Sequence, residues 1–560
     1  MLAGLSRAAW IATAALFVVV WFAALDLRKL QHPDEGRYAE IAREMVVSGD
    51  WVTPRLNGLK YFEKPPLQYW LTAAAFLAFG FDEWGARLTP ALVTILGLLA
   101  IGYAGARIAS PAVGAYAALA FGGMLWPIGI GHIVTLDALL TAWLAAALAA
   151  FLVAQTSATD AGSERRFMLL AWAAIALGTL VKGPIAVAIP GGALALYSVA
   201  TRDFAVWRRL HLTWGLLVLV GLSAPWFIAV SRENPEFARF FFIHEHIDRF
   251  LTSEHRRTGA IWYFVPLLLV GLIPWTGIFL WTARRTWRDA PRTDTGFSWP
   301  RFCLAWVVFV FCFFSISGSK LPSYILPLFP AAALCIGWQI ERLSQPILYR
   351  WTLAAVLAAA IALLGLAIGY DALAHRLADA RTPLAVYRQF GPWLIAALAV
   401  GTAGGIAALM AFARDSSGRR SIGIIVITLS TLVATQVAFV GNDVFRATRS
   451  AADLAATLTS GEPPYDANAP FYQIEMYDQT LPFYLRRTTT LVNYRDELAL
   501  GLDAEPERGI ATVRAWETRW RELPQAYALM APETFDRLKA AEVPLRVVAR
   551  DTRRVLVARR

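Results

Sequence analysis

The stretch VVVWFAALDLRKLQHPDEGRYAE (residues 18–40) decides how the chain begins to fold. It contains the end of an apolar run of about twenty residues that starts near Ala9, long enough to cross a lipid bilayer. Two adjacent carboxylates, Asp34 and Glu35, follow close to the lipid, where charge is costly. The stretch therefore predicts a first membrane helix and an outer loop whose acids have a structural or chemical role. We expect the helix to be retained, because its apolar core is too long for a signal peptide and no small-residue cleavage pattern follows.

The composition supports a membrane protein throughout. Of the 560 residues, 57% are hydrophobic and only 17% are charged, and the mean hydropathy is +0.48. Soluble domains carry about 25% charged residues, so the chain is expected to cross the membrane many times. The net charge of +11 comes from arginines between apolar segments, which indicates membrane orientation and no nucleic-acid partner. All three cysteines lie in apolar runs, without disulfide or zinc-finger spacing.

Thirteen apolar segments are long enough to be membrane helices: 9–29, 85–107, 112–131, 135–155, 167–181, 184–200, 210–230, 260–283, 301–317, 321–341, 350–370, 391–413 and 421–440. The two segments on either side of VKGP (181–184) are each short for a membrane helix. With a cytoplasmic N-terminus, the inner connections are all Arg-rich, as the positive-inside rule requires: 163–166, 201–209, 283–292, 341–350 and 413–420. An even number of helices would break this alternation.

The chain is predicted to have two domains. Residues 1–440 form an all-α polytopic membrane domain with outer loop helices at 32–80, where Pro33 and two acids precede a helix and Gly49 follows it. Residues 441–560 alternate short strands with amphipathic helices, which predicts a soluble α/β domain on the outer side.

Unusual polar groups concentrate in the segments expected on the outer face. They are Asp34, Glu35, Tyr61, Glu63, Lys64, Asp137, Lys182, His244, His246, Arg249, Lys320 and Tyr324. Because the predicted topology places them on one side at similar depth, we expect a shared cavity that serves as an active site.

Several of these residues also have a purely structural explanation. Acids at 34 and 35 favour a helix N-terminus through its dipole, and Asp137 is suited to cap its own helix. Lys64 is suited to extend along the membrane interface. Lys182, which separates two helices, is interpreted as structural. The His244-x-His246 pair is by itself weak evidence for a metal.

The motif HPDEGRYAEIAREM (32–45) resembles that of integral-membrane glycosyltransferases with the GT-C fold. The following GDWVTPRLNGLKYFEKPPLQYW (49–70) resembles the bacterial aminoarabinose transferases that act on lipid A. Protein O-mannosyltransferases share this architecture more distantly. The resemblance extends to about residue 330.

The resemblance implies a specific reaction. Members transfer 4-amino-4-deoxy-L-arabinose from undecaprenyl phosphate to a lipid A phosphate at the periplasmic face of the bacterial inner membrane. The modification masks negative charge on lipid A and makes the cell resistant to polymyxin and other cationic peptides. We therefore expect a lipid-linked sugar donor, a lipid A acceptor, no nucleotide cofactor and a monomer in the bilayer.

The resemblance also implies roles for matching residues. The catalytic candidates are Asp34, Asp137 and Lys64; the substrate-binding candidates are Arg37, Tyr38, Tyr61, Lys64, Arg249 and Tyr324; Glu63 and His244 would hold a divalent metal, with zinc preferred. The cations and the metal suit the charge that develops on a departing phosphate. Asp34 would act as base toward a hydroxyl acceptor. Toward an ionised phosphate, Asp34 and Asp137 would instead position the nucleophile, hold the sugar's ammonium or stabilise the ring.

Two other functions are consistent with parts of the sequence. One is transfer of another polyprenyl-linked sugar to protein or glycan. The other is lipid flipping or transport, but such proteins have internal repeats and mid-membrane charges, whereas here the charges gather at one face without a repeat.

Overall fold

The computed structural model describes residues 4–156, 161–248, 259–414, 416–462 and 464–559, with side chains left out at 244–248. The helices up to residue 441 are α1 Arg7–Phe22, α2 Asp34–Ser48, α3 Leu67–Phe79, α4 Glu83–Ile108, α5 Pro111–Gly122, α6 Leu125–Gly131, α7 Leu136–Thr156, α8 Ala161–Lys182, α9 Ile185–Thr201, α10 Leu212–Glu233, α11 Phe264–Gly271, α12 Thr276–Arg288, α13 Trp299–Ile316, α14 Phe329–Arg342, α15 Gln345–Leu377, α16 Leu384–Phe412 and α17 Ser417–Gly441. A π-helical turn covers Arg239–Asp248, and 3₁₀ turns cover Ala205–Arg209 and Pro322–Leu328.

Helices lie at all thirteen apolar segments, and the chain is a multi-pass membrane protein. Within the described residues, eight helices are long and apolar enough to span a bilayer, or up to ten if each of two bent pairs is one span. The bent pairs are α5–α6 and α11–α12, with angles of 62° and 102°. The other expected spans are α1 and α9, which are shorter, and α8, which starts with a charged turn. Thirteen crossings therefore stay a prediction.

The span Pro322–Arg342, which ends with α14, and helix α7 are the most buried of the eight long apolar spans described, at 89% and 83% of their apolar stretches, whereas α15 is 6% buried. Helices α4 and α5 approach each other closely where Gly105 faces Gly114. A Cβ built on Gly105 would lie 2.9 Å from the Gly114 Cα. Small residues permit such close crossings between membrane helices.

The segment between α1 and α4, which is the predicted first outer loop, is helical over α2 and α3, as its sequence predicts. Helix α2 ends at Gly49, whose backbone has φ 71° and whose N–H donates to the Met45 carbonyl at 3.0 Å. A small antiparallel hairpin follows, formed by β1 Arg55–Leu56 and β2 Leu59–Lys60. Helix α3 then packs against α2 and α4.

The C-terminal part contains a six-stranded mixed sheet. Its helices are α18 Arg446–Arg449, α19 Ala452–Ser460, α20 Leu481–Leu485, α21 Ala499–Ala504, α22 Val513–Glu522 and α23 Pro532–Ala540; its strands are β3 Phe471–Ile474, β4 Thr490–Val492, β5 Gly509–Ile510, β6 Tyr527–Met530, β7 Leu545–Arg550 and β8 Val555–Arg559. The strand order is β5-β4-β3-β6-β8-β7. The first four strands are parallel, and β8 runs antiparallel to β6 and β7.

This sheet domain packs directly onto the first outer loop. The Asn57 side chain donates to the Thr489 carbonyl and accepts from the Thr489 N–H, both at 2.7 Å. The Leu30 N–H donates to the Tyr484 hydroxyl at 2.7 Å. The domain therefore lies at the same end of the bundle as the acids of α2.

Candidate active site

A cavity that is open to solvent, with about 420 Å³ of empty space, lies where the segment between α1 and α4 meets the bundle. Its walls come from α2, the segment before α3, the starts of α7 and the 3₁₀ turn at 322–328, and the end of α8. The lining residues are Asp34, Arg37, Tyr38, Glu63, Lys64, Thr135, Leu136, Asp137, Lys182, Leu321 and Tyr324. Residues almost 300 positions apart in sequence thus share one polar chamber.

The two adjacent acids at the start of α2 point to different surroundings. The Asp34 side chain is 39% exposed and lines the cavity. The Glu35 side chain is 3% exposed and forms ion pairs with Arg28 at 2.9 Å and Arg87 at 2.8 Å, both of them buried. Burial raises the pKa of Glu35, but the two guanidinium groups outweigh burial and lower it to about 2. Glu35 therefore anchors the start of α2 through its buried ion pairs, while Asp34 faces the cavity.

Asp34 is held by a chain of charges that reaches the C-terminal domain. Arg37 donates to the Asp34 carboxylate at 3.1 Å and pairs with Glu497 at 2.5 Å. Glu497 also accepts a hydrogen bond from Gln479. Burial raises the pKa of Glu497, and the charge of Arg37 opposes this. No motif around Glu497 singles it out in the sequence, because its partner is 460 positions away.

Asp137 is enclosed by partners from two other segments. Lys182 donates to its Oδ1 at 2.5 Å, and the Ser323 hydroxyl donates to its Oδ2 at 2.7 Å. The Lys182 ammonium also lies 4.4 Å from the centre of the Tyr324 ring. The interpretation of Lys182 as structural is therefore incomplete, since it lines the cavity and compensates a candidate catalytic acid. Only the fold could reveal this pairing, because Lys182 follows Asp137 by 45 residues.

Lys64 and Glu63 enter the cavity from a short segment rich in proline. The Lys64 ammonium donates to the Glu63 carbonyl at 2.7 Å, and both residues line the cavity. Tyr324 lies opposite and packs on Phe314, with the ring centres 5.3 Å apart. Lys320, its neighbour in sequence, is buried and donates to the Ser315 and Ser317 carbonyls, so it acts within its own turn.

The two tyrosine candidates differ in position. Tyr38 lines the cavity, and its ring lies 5.8 Å from the Arg37 guanidinium. Tyr61 is 2% exposed and lies behind this wall, where its hydroxyl has no hydrogen-bond partner among the described residues. Burial raises the pKa of both phenols. Of the two tyrosines, Tyr38 lines the cavity and Tyr61 does not, and their roles in substrate binding stay predictions.

The remaining candidates fall where the structure says little. His244 and His246 belong to the π-helical turn 239–248, and their side chains lie outside the described residues, as does all of Arg249. In the part of the chain that is described, no group of three or more His, Cys, Asp or Glu residues is arranged to hold a metal ion.

Two family models match the chain. Residues 8–241 match the dolichyl-phosphate-mannose-protein mannosyltransferase model, and residues 459–559 match the aminoarabinose transferase C-terminal domain. The undecaprenyl phosphate-α-4-amino-4-deoxy-L-arabinose arabinosyl transferase of Edwardsiella ictaluri is 35% identical over 340 residues, 60% of each chain. The same-named protein of Aeromonas hydrophila is 36% identical over 334 residues, 59% of each. The match thus spans about 60% of the length of these curated relatives.

A solved structure covers nearly the whole chain. ArnT from Cupriavidus metallidurans, bound to undecaprenyl phosphate, has a TM-score of 0.91 and 37% identity over 99% of this chain and 98% of its own. Its apo form has a TM-score of 0.89. The fold and the cavity define an integral-membrane glycosyltransferase of the GT-C class. Within that class, the chain belongs to the ArnT family of aminoarabinose transferases.

Proposed function

We propose that this protein transfers 4-amino-4-deoxy-L-arabinose from undecaprenyl phosphate to a phosphate group of lipid A. The observation that carries the proposal is the single cavity that unites Asp34, Lys64, Asp137 and Tyr324 from four segments. The ArnT structure from C. metallidurans, which is similar over nearly its whole length, contains undecaprenyl phosphate. A cavity with both carboxylates and cations suits a sugar that carries an ammonium and a carrier that carries a phosphate.

In the proposed reaction, an acceptor phosphate oxygen attacks the anomeric carbon of the sugar. The bond from that carbon to the carrier phosphate breaks, and the carrier leaves as undecaprenyl phosphate. Lys64, Tyr324 and Arg249 are assigned to this leaving phosphate, since cations and hydroxyl donors stabilise developing negative charge. The acceptor phosphate is already ionised near neutral pH and needs no base.

The two acids are assigned different roles in binding the sugar. Asp137 is neutralised by Lys182 and oriented by Ser323, so it suits a hydrogen bond to a sugar hydroxyl. Asp34 is more exposed and shares Arg37 with Glu497. Asp34 is therefore the better placed of the two to face the sugar's ammonium or the positive charge that develops on the ring.

We also propose that Glu63 and His244 hold a divalent metal, with zinc preferred. The donor set fits in part: Glu63 lines the cavity beside Asp34, and carboxylate with imidazole is a common zinc pair. When bound, the ion would supply a further positive charge for the carrier phosphate. Metal analysis of purified protein tests this, with about one equivalent expected for the wild type and loss in Glu63→Gln. An equal metal content in both proteins would refute the assignment.

The proposed orientation places the cavity and the C-terminal domain in the periplasm. It is supported by the Arg-rich connections, which all lie on the opposite side if thirteen segments cross. A reporter that is active only in the periplasm, fused after Arg560, should be active. A reporter that is active only in the cytoplasm should give no signal when it is fused at the same position. A signal from that second reporter would refute the orientation.

The decisive experiment is to incubate membranes that contain this protein with the lipid-linked donor and lipid A. Mass spectrometry should detect lipid A heavier by one aminopentose, and membranes without the protein should give none. Unmodified lipid A, with donor and protein both intact, would refute the proposed acceptor or sugar.

A second candidate is transfer of another polyprenyl-linked sugar to protein or glycan. The match of residues 8–241 to the protein mannosyltransferase model favours it. The same membranes would then release carrier phosphate from a different sugar donor while lipid A stays unmodified.

A further inference from the structure

A second polar pocket lies on the other side of the turn that leads into α2. It has about 660 Å³ of open space. We call it the arginine pocket and define it by its lining residues: Gln31, His32, Asp379, Arg381, Thr382, Thr448, Arg449 and Arg553. The catalytic cavity described above contains none of these residues.

Three arginines from three segments line this pocket without carboxylate partners, and the guanidinium of one of them, Arg449, also lies 4.8 Å from the centre of the Phe445 ring. Within the described residues, Arg381, Arg449 and Arg553 form no ion pair, although nearby arginines do. Arg554, next to Arg553, pairs with Asp478 and Asp551 at 2.6 Å each. The one acid of the pocket, Asp379, accepts from the backbone N–H groups of Arg381 at 2.8 Å and Thr382 at 2.7 Å. With three arginines and one carboxylate, the lining of the pocket carries a net positive charge.

Hydrogen bonds between the segments hold the arginines close together. The Thr552 hydroxyl donates to the Arg381 carbonyl at 2.6 Å. The Arg553 guanidinium donates to the Thr448 carbonyl at 3.2 Å and contacts His32 Nε2.

The backbone N–H of His32 in turn donates to the Arg449 carbonyl at 2.8 Å. Burial and the neighbouring arginines lower the pKa of His32 to about 4, so its ring is neutral near pH 7. Like charges brought together in this way are stabilised by a bound anion.

The pocket lies at the membrane end nearest the active site. The loop with Asp379 and Arg381 joins the end of α15 at Leu377 to the start of α16 at Leu384, two helices that are largely exposed to lipid. His32 in this pocket and Asp34 in the catalytic cavity are two residues apart, at most about 7 Å along the chain. The two pockets therefore adjoin the same turn, which is the arrangement that a head group with two anionic groups needs in order to contact both.

We propose that the arginine pocket binds a phosphate group of the acceptor head group, other than the phosphate that reacts. This inference rests on the proposed function, because it takes a glycolipid with two phosphates as the acceptor. An arginine guanidinium can donate two parallel hydrogen bonds to two oxygens of one phosphate, and it stays charged at all relevant pH values. The pocket thus determines which acceptor is recognised and takes no part in breaking the donor bond.

The test compares lipid A with its two monophosphorylated forms as acceptors. In the double variant Arg381→Gln/Arg449→Gln, we expect KM for bisphosphorylated lipid A to rise about tenfold or more, from loss of two charged hydrogen-bonding groups. We expect kcat to stay within about twofold. For the monophosphorylated form that still reacts, we expect the wild type and the double variant to have the same KM.

Arg446→Gln is the matched control. Arg446 belongs to the same short helix as Arg449 and is also exposed, but it pairs with Asp443 at 3.2 Å. We expect the control to behave as the wild type with all acceptors. The single variant Arg381→Gln, in an exposed loop, should show a smaller rise in KM and serves if the double variant is poorly folded.

Three results would overturn the inference, each in a different way. An equal rise in KM for both acceptors in the double variant would mean that the pocket does not bind the second phosphate. Competition by phosphatidylglycerol vesicles or by inorganic phosphate, present in the wild type and lost in the double variant, would mean that the pocket binds bilayer phospholipid or free phosphate. A wild type that modifies neither acceptor would refute the proposed function itself, and the inference with it.

Discussion

Replacing Glu35 with glutamine should destabilise the protein strongly, although Glu35 lies outside the cavity. The Glu35 carboxylate accepts two hydrogen bonds from Arg28, two from Arg87 and one from the Gln31 N–H, at 2.8–3.1 Å. Glutamine leaves both guanidinium groups buried without a counter-charge. Removing one partner of a buried ion pair costs about 3–5 kcal/mol.

The lowered pKa of Glu35, which arises from the same two ion pairs, gives a figure of similar size. The pKa falls from 4.5 to about 2 on folding, and each unit corresponds to about 1.4 kcal/mol, so the ionised form contributes roughly 3 kcal/mol. Because the folded-state pKa is the lower one, this stability is present above about pH 4.5 and is lost as the pH falls toward 2.

Thermal unfolding of the purified protein in detergent, followed by tryptophan fluorescence, measures both effects. We expect Glu35→Gln to lower Tm by several degrees at pH 7, and to lose less stability than the wild type between pH 4.5 and 3. Asp371→Asn is the control, because Asp371 pairs with Arg388 at an exposed site where ion pairs contribute little. If Glu35→Gln lowers Tm no more than Asp371→Asn, the buried cluster does not stabilise the fold as argued.

Three further predictions concern the catalytic cavity. Asp34→Asn should lower the rate of transfer at least about 100-fold with Tm unchanged, because the positive charge on the sugar then loses its counter-charge, and normal polymyxin resistance in cells that carry it would exclude a catalytic role. Lys64→Ala should weaken binding of undecaprenyl phosphate by about 1.5–3 kcal/mol, and Lys64→Arg should retain part of the affinity; unchanged binding in Lys64→Ala would place the carrier phosphate elsewhere. Glu497→Gln should lower kcat about tenfold, because Arg37 then orients Asp34 less firmly, with little effect on carrier binding; an unchanged kcat would separate the C-terminal domain from catalysis.

The sequence by itself determined the class of fold and most of the cavity. Long apolar segments have no stable alternative to helices in a bilayer, so their positions follow from hydropathy alone. The acids and cations at their outer ends were therefore predicted to meet, and Asp34, Lys64, Asp137 and Tyr324 line one cavity. Gly49 likewise marked the end of α2 through its left-handed backbone.

Only the tertiary structure decided which charges compensate one another. Asp34 and Glu35 are neighbours with the same chemistry. Glu35 is buried in ion pairs with Arg28 and Arg87, whereas Asp34 lies at the cavity in an ion pair with Arg37. Lys182 pairs with Asp137, 45 positions away, and Glu497 pairs with Arg37, 460 positions away. The arginine pocket assembles in the same way from residues more than 500 positions apart. Such pairs depend on how the segments pack in space, and local sequence patterns extend over only a few turns of helix or strand.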